Sequence, residues 1–290
     1  LARQSHTTVL EVDLDALAGN FNILRNRVPR GTRLAVMVKA FSYGSGAGEI
    51  AAQLQYSGAD YLMVAYADEG VELRSKGITV PIAVMNPEPE AFDQMIEFSL
   101  EPEIYSLALL RDFEAVLARG GVEGYPVHLK LNTGMNRSGL DKKDIPELLE
   151  FMEGRRTVML RSMFSHLAAA DDPAEDEFTL GQIRLFGEMT GMVQPHFPYK
   201  ILRHILNSAG IERFPQYAFD MVRMGIGLYG IGPLPGLRPV STFKTHIASI
   251  RRITPDQTVG YGRRGRVSRP SDVAGLPLGV AGGVGRRLWR

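Results

Sequence analysis

No cysteine occurs among the 290 residues, which excludes disulfides, cysteine-ligated zinc and thiol catalysis together. The six histidines are scattered and show no HExxH-like spacing, so no metal site is expected. A formal net charge of +1 gives little steering toward nucleic acid or an anionic membrane, and neither is expected as a partner. No apolar stretch is long enough to span a bilayer, and the opening LARQSHTTVLEVD lacks the apolar core of a signal peptide. A cytoplasmic location is the expectation. What is present is the apolar and charged composition of an ordinary globular protein, with chain enough for a sizeable core.

Short apolar runs recur at regular intervals: LAVMVKA, DYLMVAYA, PIAVMN, EPEIYS, VHLKLNTG, SMFSHLAA, ILRHILNSAG and DMVRMGIGLYGI. Segments with helical spacing separate them, among them GAGEIAAQLQYSG, DEGVELRSKG, EAFDQMIEFSL, LALLRDFEAVLARGG and DIPELLEFMEG. Strands alternating with helices imply right-handed βα units and a parallel sheet, and this number of units closes a (β/α)8 TIM barrel, an α/β fold. An open doubly wound sheet is the alternative. The barrel is assigned to residues 13–237. From 238 to 290 the pattern changes to short β segments with turns at TPDQ and GYGRRG, giving an incomplete C-terminal β-domain. Residues 1–12, which precede the first barrel strand, are expected to pack on that domain.

In a barrel, ligand chemistry sits just beyond the C-terminal ends of the strands. Lys39 closes the first run and is followed at once by FSYGSG, whose glycines permit a tight turn and whose Ser42, Tyr43 and Ser45 supply hydroxyls. An amine at the mouth of a core is where a Schiff-base lysine would sit, because desolvation disfavours its charged form. A lysine that merely closes a strand and reaches to water has the same local signature. Lys130, Asn132, Thr133, Asn136 and Arg137 follow the fifth run, Ser165 and His166 end the sixth, and Asn207 and Ser208 end the seventh. Arg223, Gly225 and Gly227 lie in the eighth. The strings NSAG and RMGIG therefore stand where barrels commonly bind phosphate. With Lys39 placed on the opposite side of the mouth, they describe a pyridoxal phosphate site.

The motifs AVMVKAFSYGSG, KLNTGMNRSG, SHLAAADD, HILNSAG, DMVRMGIGLYGI and TVGYGRRGRV resemble, in order and spacing, those of alanine racemase, a fold-type III pyridoxal-phosphate enzyme. The resemblance runs from about residue 7 to residue 283 and is closest to the racemase half of bacterial fusions with the D-alanyl-D-alanine-adding ligase. It implies a ligase domain ahead of Leu1, in keeping with the absence of an initiator methionine. It implies pyridoxal 5'-phosphate as cofactor, alanine as substrate and D-alanine for peptidoglycan as product. Lys39 becomes the cofactor-linked lysine and one acid/base at the α-carbon. Arg223 becomes the partner of the pyridine nitrogen, where a guanidinium must donate and so leaves the carbanion weakly delocalised.

Tyr43, Asn207, Ser208, Gly225 and Ile226 would hold the cofactor at its phosphate end, His166 would lie against the ring or link to Arg223, and Arg137 would meet the substrate carboxylate. Racemisation needs a second base on the other face, because one lysine serves one face only. Tyr261 in GYGRRG matches it and, as in the family, would act across the interface of a homodimer. Its ordinary pKa near 10 calls for a helper, for which His204 is a candidate.

The family pattern continues after RPSDVAGLPLG with Tyr-Ala-Asp-Gly, where this chain has Val280 and Gly282 at the tyrosine and aspartate positions. Truncation of the β-domain is the reading, with the last residues outside the native frame. The arginines beyond 251 lack the interleaved aromatics of a nucleic-acid tail. A second enzyme reading is another fold-type III amino-acid decarboxylase or a broader racemase, against which Arg223 stands, because the related decarboxylases use an acidic residue toward the pyridine nitrogen; a non-catalytic barrel that carries pyridoxal phosphate is disfavoured by Tyr261.

Overall fold

The apolar runs form strands buried along nearly their whole length, as strands covered by βα crossovers must be. The computed structural model of the protein describes residues 8–285. Its parallel sheet is built from β2 (Arg33–Met37), β3 (Tyr61–Val64), β4 (Ile82–Val84), β5 (Leu100–Ile104), β6 (Tyr125–Lys130), β7 (Val158–Phe164), β8 (Leu202–His204) and β9 (Met221–Met224). The order around the sheet is β8-β7-β6-β5-β4-β3-β2-β9, so the last strand returns to the side of the first. No ladder joins β8 to β9, but the N–H of Asp220 donates to the carbonyl of Arg203 at 3.1 Å and that of Arg223 to Leu206 at 3.0 Å. The sheet is thus nearly closed into a barrel.

Helices cover the outside because each carries one apolar stripe. Leu14–Arg25 is started by Asp13, whose carboxylate accepts the N–H of Ala16 at 2.7 Å, and it buries Leu17, Phe21 and Leu24. Leu107–Arg119 starts on the Ser106 side chain in the same way and buries Leu109, Leu110, Phe113 and Leu117. The 18-residue helix Asp176–Val193, between β7 and β8, buries Ile183, Phe186, Met189 and Val193. Asn20, wholly buried, donates to the carbonyls of Leu228 and Arg238 and accepts the N–H of Arg238. That tie secures the chain after β9 to the first helix, at a cost of about 1–3 kcal/mol if one partner is removed.

Packing divides the chain into two units, Asp13–Val240 and the remainder. In the smaller one, β1 (Thr8–Val12) pairs antiparallel with β10 (Ser241–Thr245), β11 (Ser249–Ile253) with β14 (Ser271–Gly275), and β12 (Thr258–Val259) with β13 (Gly265–Arg266). These strands leave large apolar side chains such as Phe243 and Ile250 exposed. Among the described residues no helix is long and apolar enough to cross a membrane, and no cluster of His, Cys, Asp and Glu could hold a metal.

Candidate active site

Lys39 stands one residue beyond Val38, which follows directly on β2, and is half-buried at the C-terminal end of the sheet. Burial first, and then the positive charge of Arg137, lower the pKa of its amine, while Glu103 and Glu69 oppose the shift. The four residues after it, Ala40, Phe41, Ser42 and Tyr43, all lie in the left-handed region with φ between 51° and 55°. For residues with a Cβ this conformation costs about 1–2 kcal/mol each. Two kinds of contact hold it. Glu69 accepts the N–H of Ala40 with one oxygen and that of Ala65 with the other, both at 2.6 Å, tying the turn to the end of β3. Ser42, fully buried, donates its N–H to the carbonyl of Val38 at 3.0 Å. The left-handed turn faces the Tyr43 ring toward Tyr229, with centroids 4.8 Å apart, and Tyr229 donates its hydroxyl to the carbonyl of Met37 at 3.0 Å.

Beyond β8 and β9 the backbone turns back on itself around one hydroxyl. Ser208 Oγ accepts the N–H groups of Gly225 at 3.0 Å and Gly227 at 3.2 Å. A Cβ placed on Gly225 would stand 3.4 Å from the Tyr43 hydroxyl and 3.8 Å from Ser208 Oγ. Tyr43, Ser208 and Gly225 are therefore gathered in one place, and the lack of a side chain at 225 keeps it open. Asn207 has local work: it accepts the N–H of Gly210 at 2.9 Å and donates to the carbonyl of Leu167 at 3.3 Å, setting the backbone that presents Ser208. Ile226 is exposed next to this cradle. One expectation is corrected here. Because β2 is hydrogen-bonded to β9, with Ala35 opposite Arg223, Lys39 and the cradle end on neighbouring strands and not across the mouth.

Arg223 is 3% exposed and bonded on nearly every side. Nη1 donates to His204 Nδ1 at 2.8 Å and to the His204 carbonyl at 3.3 Å. Nη2 donates to the carbonyls of Ser165 at 2.6 Å and Ile205 at 3.2 Å, and to His166 Nδ1 at 3.2 Å. Nε donates to no described residue. Burial pushes the Arg223 pKa down to about 10, which leaves it cationic at neutral pH. The His166 pKa is driven down to about 3 by burial and then by Arg223, Arg137, Lys130 and Lys39, so its ring is neutral and Nδ1 is free to accept.

Arg137 is exposed on the loop after β6, where its charge reaches both Lys39 and His166. Asn132 shapes that loop, accepting the N–H groups of Gly134 and Asn136 and donating to Asp141 Oδ1 at 2.9 Å. Gly139, at φ +118°, passes so close to the N–H of Asn132 that a Cβ would lie 2.8 Å from it. Lys130 pairs with Glu103 at 2.7 Å inside the barrel, and Thr133 bonds Ser165 at 2.7 Å. Burial raises the Glu103 pKa against the pull of Lys130.

Tyr261 is in the other unit, fully exposed between β12 and β13 on a turn begun by Gly260 at φ +76°. The proposed helper His204 is wholly buried inside the barrel with both ring nitrogens engaged, by Arg223 and by Ser162. The sequence reading missed Glu69, Glu103 and Tyr229. A signal for Glu103 was present, because EPEIYS carries two carboxylates in a run that forms a fully buried strand; Glu69 and Tyr229 act on backbone groups that only the fold brings near.

The profile described as "Alanine racemase, N-terminal domain" matches residues 12–233, and that described as "Alanine racemase, C-terminal domain" matches residues 240–290. An alanine racemase of Sorangium cellulosum is 34% identical, covering 97% of this chain and 76% of the relative. One from Synechocystis is 35% identical, covering 96% and 77%. Among solved structures, alanine racemase of Clostridium difficile 630 superposes with a TM-score of 0.90 at 31% identity, over 98% of this chain and 76% of that one. Alanine racemase of Bartonella henselae with covalently bound pyridoxal phosphate superposes with a TM-score of 0.87 at 27% identity, over 98% and 78%.

Proposed function

The chain belongs to the alanine racemase family, and from that premise we propose that it interconverts L- and D-alanine on pyridoxal 5'-phosphate, with Lys39 as one base and Tyr261 of a second copy as the other. The product supplies D-alanine for peptidoglycan.

The residues present fit the cofactor. A phosphate accepts hydrogen bonds, and the Tyr43 and Ser208 hydroxyls stand as donors over Gly225, beside Ile226, in a cradle that a side chain at 225 would fill. A pyridine nitrogen is an acceptor, and Arg223 keeps Nε without a described partner while both of its other nitrogens are tied down. The single observation that carries the reading is Lys39 itself, an amine made less basic by burial and Arg137 at the end of a strand whose neighbour leads into the cradle.

Bound here, pyridoxal 5'-phosphate would supply an electron-withdrawing ring that makes the α-proton of the substrate acidic. The chain does the rest. Lys39 Nζ, made less basic by burial and Arg137, takes or returns a proton on one face. Tyr261 Oη does the same on the other. Arg223, cationic and unable to accept, donates a hydrogen bond without handing over its proton, so little of the negative charge leaves the α-carbon. Prompt reprotonation then wins over side reactions. Arg137 offers a fork of donors to the substrate carboxylate.

The test is to load the protein with pyridoxal 5'-phosphate and incubate it with L-alanine in deuterated water. An absorbance band near the visible edge, exchange of the α-proton and loss of optical activity are expected. A protein that shows the band but leaves L-alanine optically unchanged would refute the racemase reading.

A further inference from the structure

We propose that a one-way chain of hydrogen bonds runs from Arg223 through His204, Ser162 and His128 to Glu101, and that Glu101, His128 and Ser162 act through it as positioning residues for the Arg223 guanidinium. The chain crosses the barrel interior, taking one member from each of five consecutive strands, β9, β8, β7, β6 and β5. Its links measure 2.8 Å from Arg223 Nη1 to His204 Nδ1, 3.0 Å from His204 Nε2 to Ser162 Oγ, 2.6 Å from Ser162 Oγ to His128 Nδ1 and 2.8 Å from His128 Nε2 to Glu101 Oε2. No member is more than 8% exposed.

The direction follows from the two ends. A guanidinium can only donate, so His204 Nδ1 accepts. Burial, and then the charge of Arg223, hold the His204 pKa well below the ordinary value, so this ring is neutral and carries its proton on Nε2. Ser162 therefore accepts from His204 and has one hydroxyl proton to give, for which His128 Nδ1 is the remaining acceptor. His128 then presents Nε2–H to the carboxylate of Glu101. Tyr61 donates to the same oxygen at 3.2 Å, and its pKa is pushed up by burial and by Glu101, which keeps it a donor. Every donor in the chain points the same way, and bonds aligned in series polarise one another.

The consequence for Arg223 is mechanical as well as electrostatic. With the opposite tautomer, His204 would set N–H against N–H and turn the guanidinium away. The Phe164 ring, stacked on His204 at 5.0 Å and 4°, fixes the plane of the imidazole. A carboxylate at the far end passes partial negative charge along the chain to a cation that burial disfavours. The effect on turnover rests on the racemase reading; the chain itself does not.

The experiment is 15N NMR of the histidines in the holoenzyme, which needs no variant. Both His128 and His204 are expected to be neutral, protonated on Nε2 with a bare Nδ1. A proton on Nδ1 of either ring, or an imidazolium at His204, overturns the chain. Ser162→Ala then removes the middle link. We expect the two rings to lose their fixed tautomers, the absorbance maximum of the bound cofactor to shift, and kcat to fall about tenfold with little change in KM. Glu101→Gln, which keeps an acceptor at the end of the chain, should retain the tautomers and most of kcat. Unchanged tautomers and kcat in Ser162→Ala would overturn the positioning role. Tautomers as expected in a protein that does not racemise alanine would support the chain and count against the racemase reading alone.

Discussion

Glu69 accepts the backbone N–H of Ala40 at 2.6 Å across 29 residues of sequence, clamping the first residue of the left-handed turn that follows the proposed cofactor lysine. The bond is charge-assisted and opposes strain in four successive residues. Glu69→Ala should destabilise the protein by about 2 kcal/mol and weaken cofactor loading, with Glu69→Gln between the two. Thermal unfolding and a titration with pyridoxal phosphate check both; a loading affinity unchanged in Glu69→Ala would show that the turn holds itself.

Lys39→Ala should lose the absorbance band of the linked cofactor and all racemisation, while the barrel stays folded. Replacing a half-buried amine by a methyl group leaves no buried charge behind. Far-UV circular dichroism beside the absorbance spectrum separates loss of chemistry from loss of fold. Residual turnover of alanine in this variant would overturn its role.

Tyr261→Phe should bind the cofactor as the parent does, because the side chain belongs to the smaller unit and its ring is wholly exposed there. Removal of the α-proton from one enantiomer should drop far more than from the other. Initial rates of deuterium incorporation from L- and D-alanine, measured separately, read this out. Equal losses for the two enantiomers would remove Tyr261 from the role of second base.

Acid should weaken the fold through His166. Its pKa of about 3 in the folded chain lies below the ordinary 6.5, so between these values the unfolded chain binds the extra proton. Its contribution is complete above pH 6.5 and is lost as pH falls, at about 1 kcal/mol or slightly more per pH unit until the folded pKa is reached. His204, also shifted down, acts in the same sense. Unfolding temperatures of the parent and of His166→Gln, compared from pH 7 to pH 5, should converge as the pH drops. A constant gap would show that His166 does not titrate in this way.

The barrel was legible because its strands are continuous apolar runs, such as Leu34–Met37 and Tyr61–Val64, set off by polar residues at their C-terminal ends. Helix Asp176–Val193 was harder to read, since Gly181, Gly187 and Gly191 dilute its apolar period and packing by Phe186 and Met189 makes up the difference. Lys39, Ser208 and Arg223 could be picked out because polar residues after buried runs are few. The register could not be read: nothing local in RMGIG says that β9 closes beside β2, which is why the lysine was expected on the far side of the mouth. Nor does a residue such as Ser162 announce that its neighbours are two histidines contributed by other strands, because periodicity identifies a buried face without naming what meets there.

The missing ladder between β8 and β9 leaves the parallel sheet with two margins that meet like the edges of a rolled page, held by single backbone bonds from Asp220 to Arg203 and from Arg223 to Leu206. Ser208, arriving from one margin, grips Gly225 and Gly227 beyond the other. An anion seated on that grip would bond to chain arriving from both sides of the join, and so would brace the cylinder at the place where its ladder is missing.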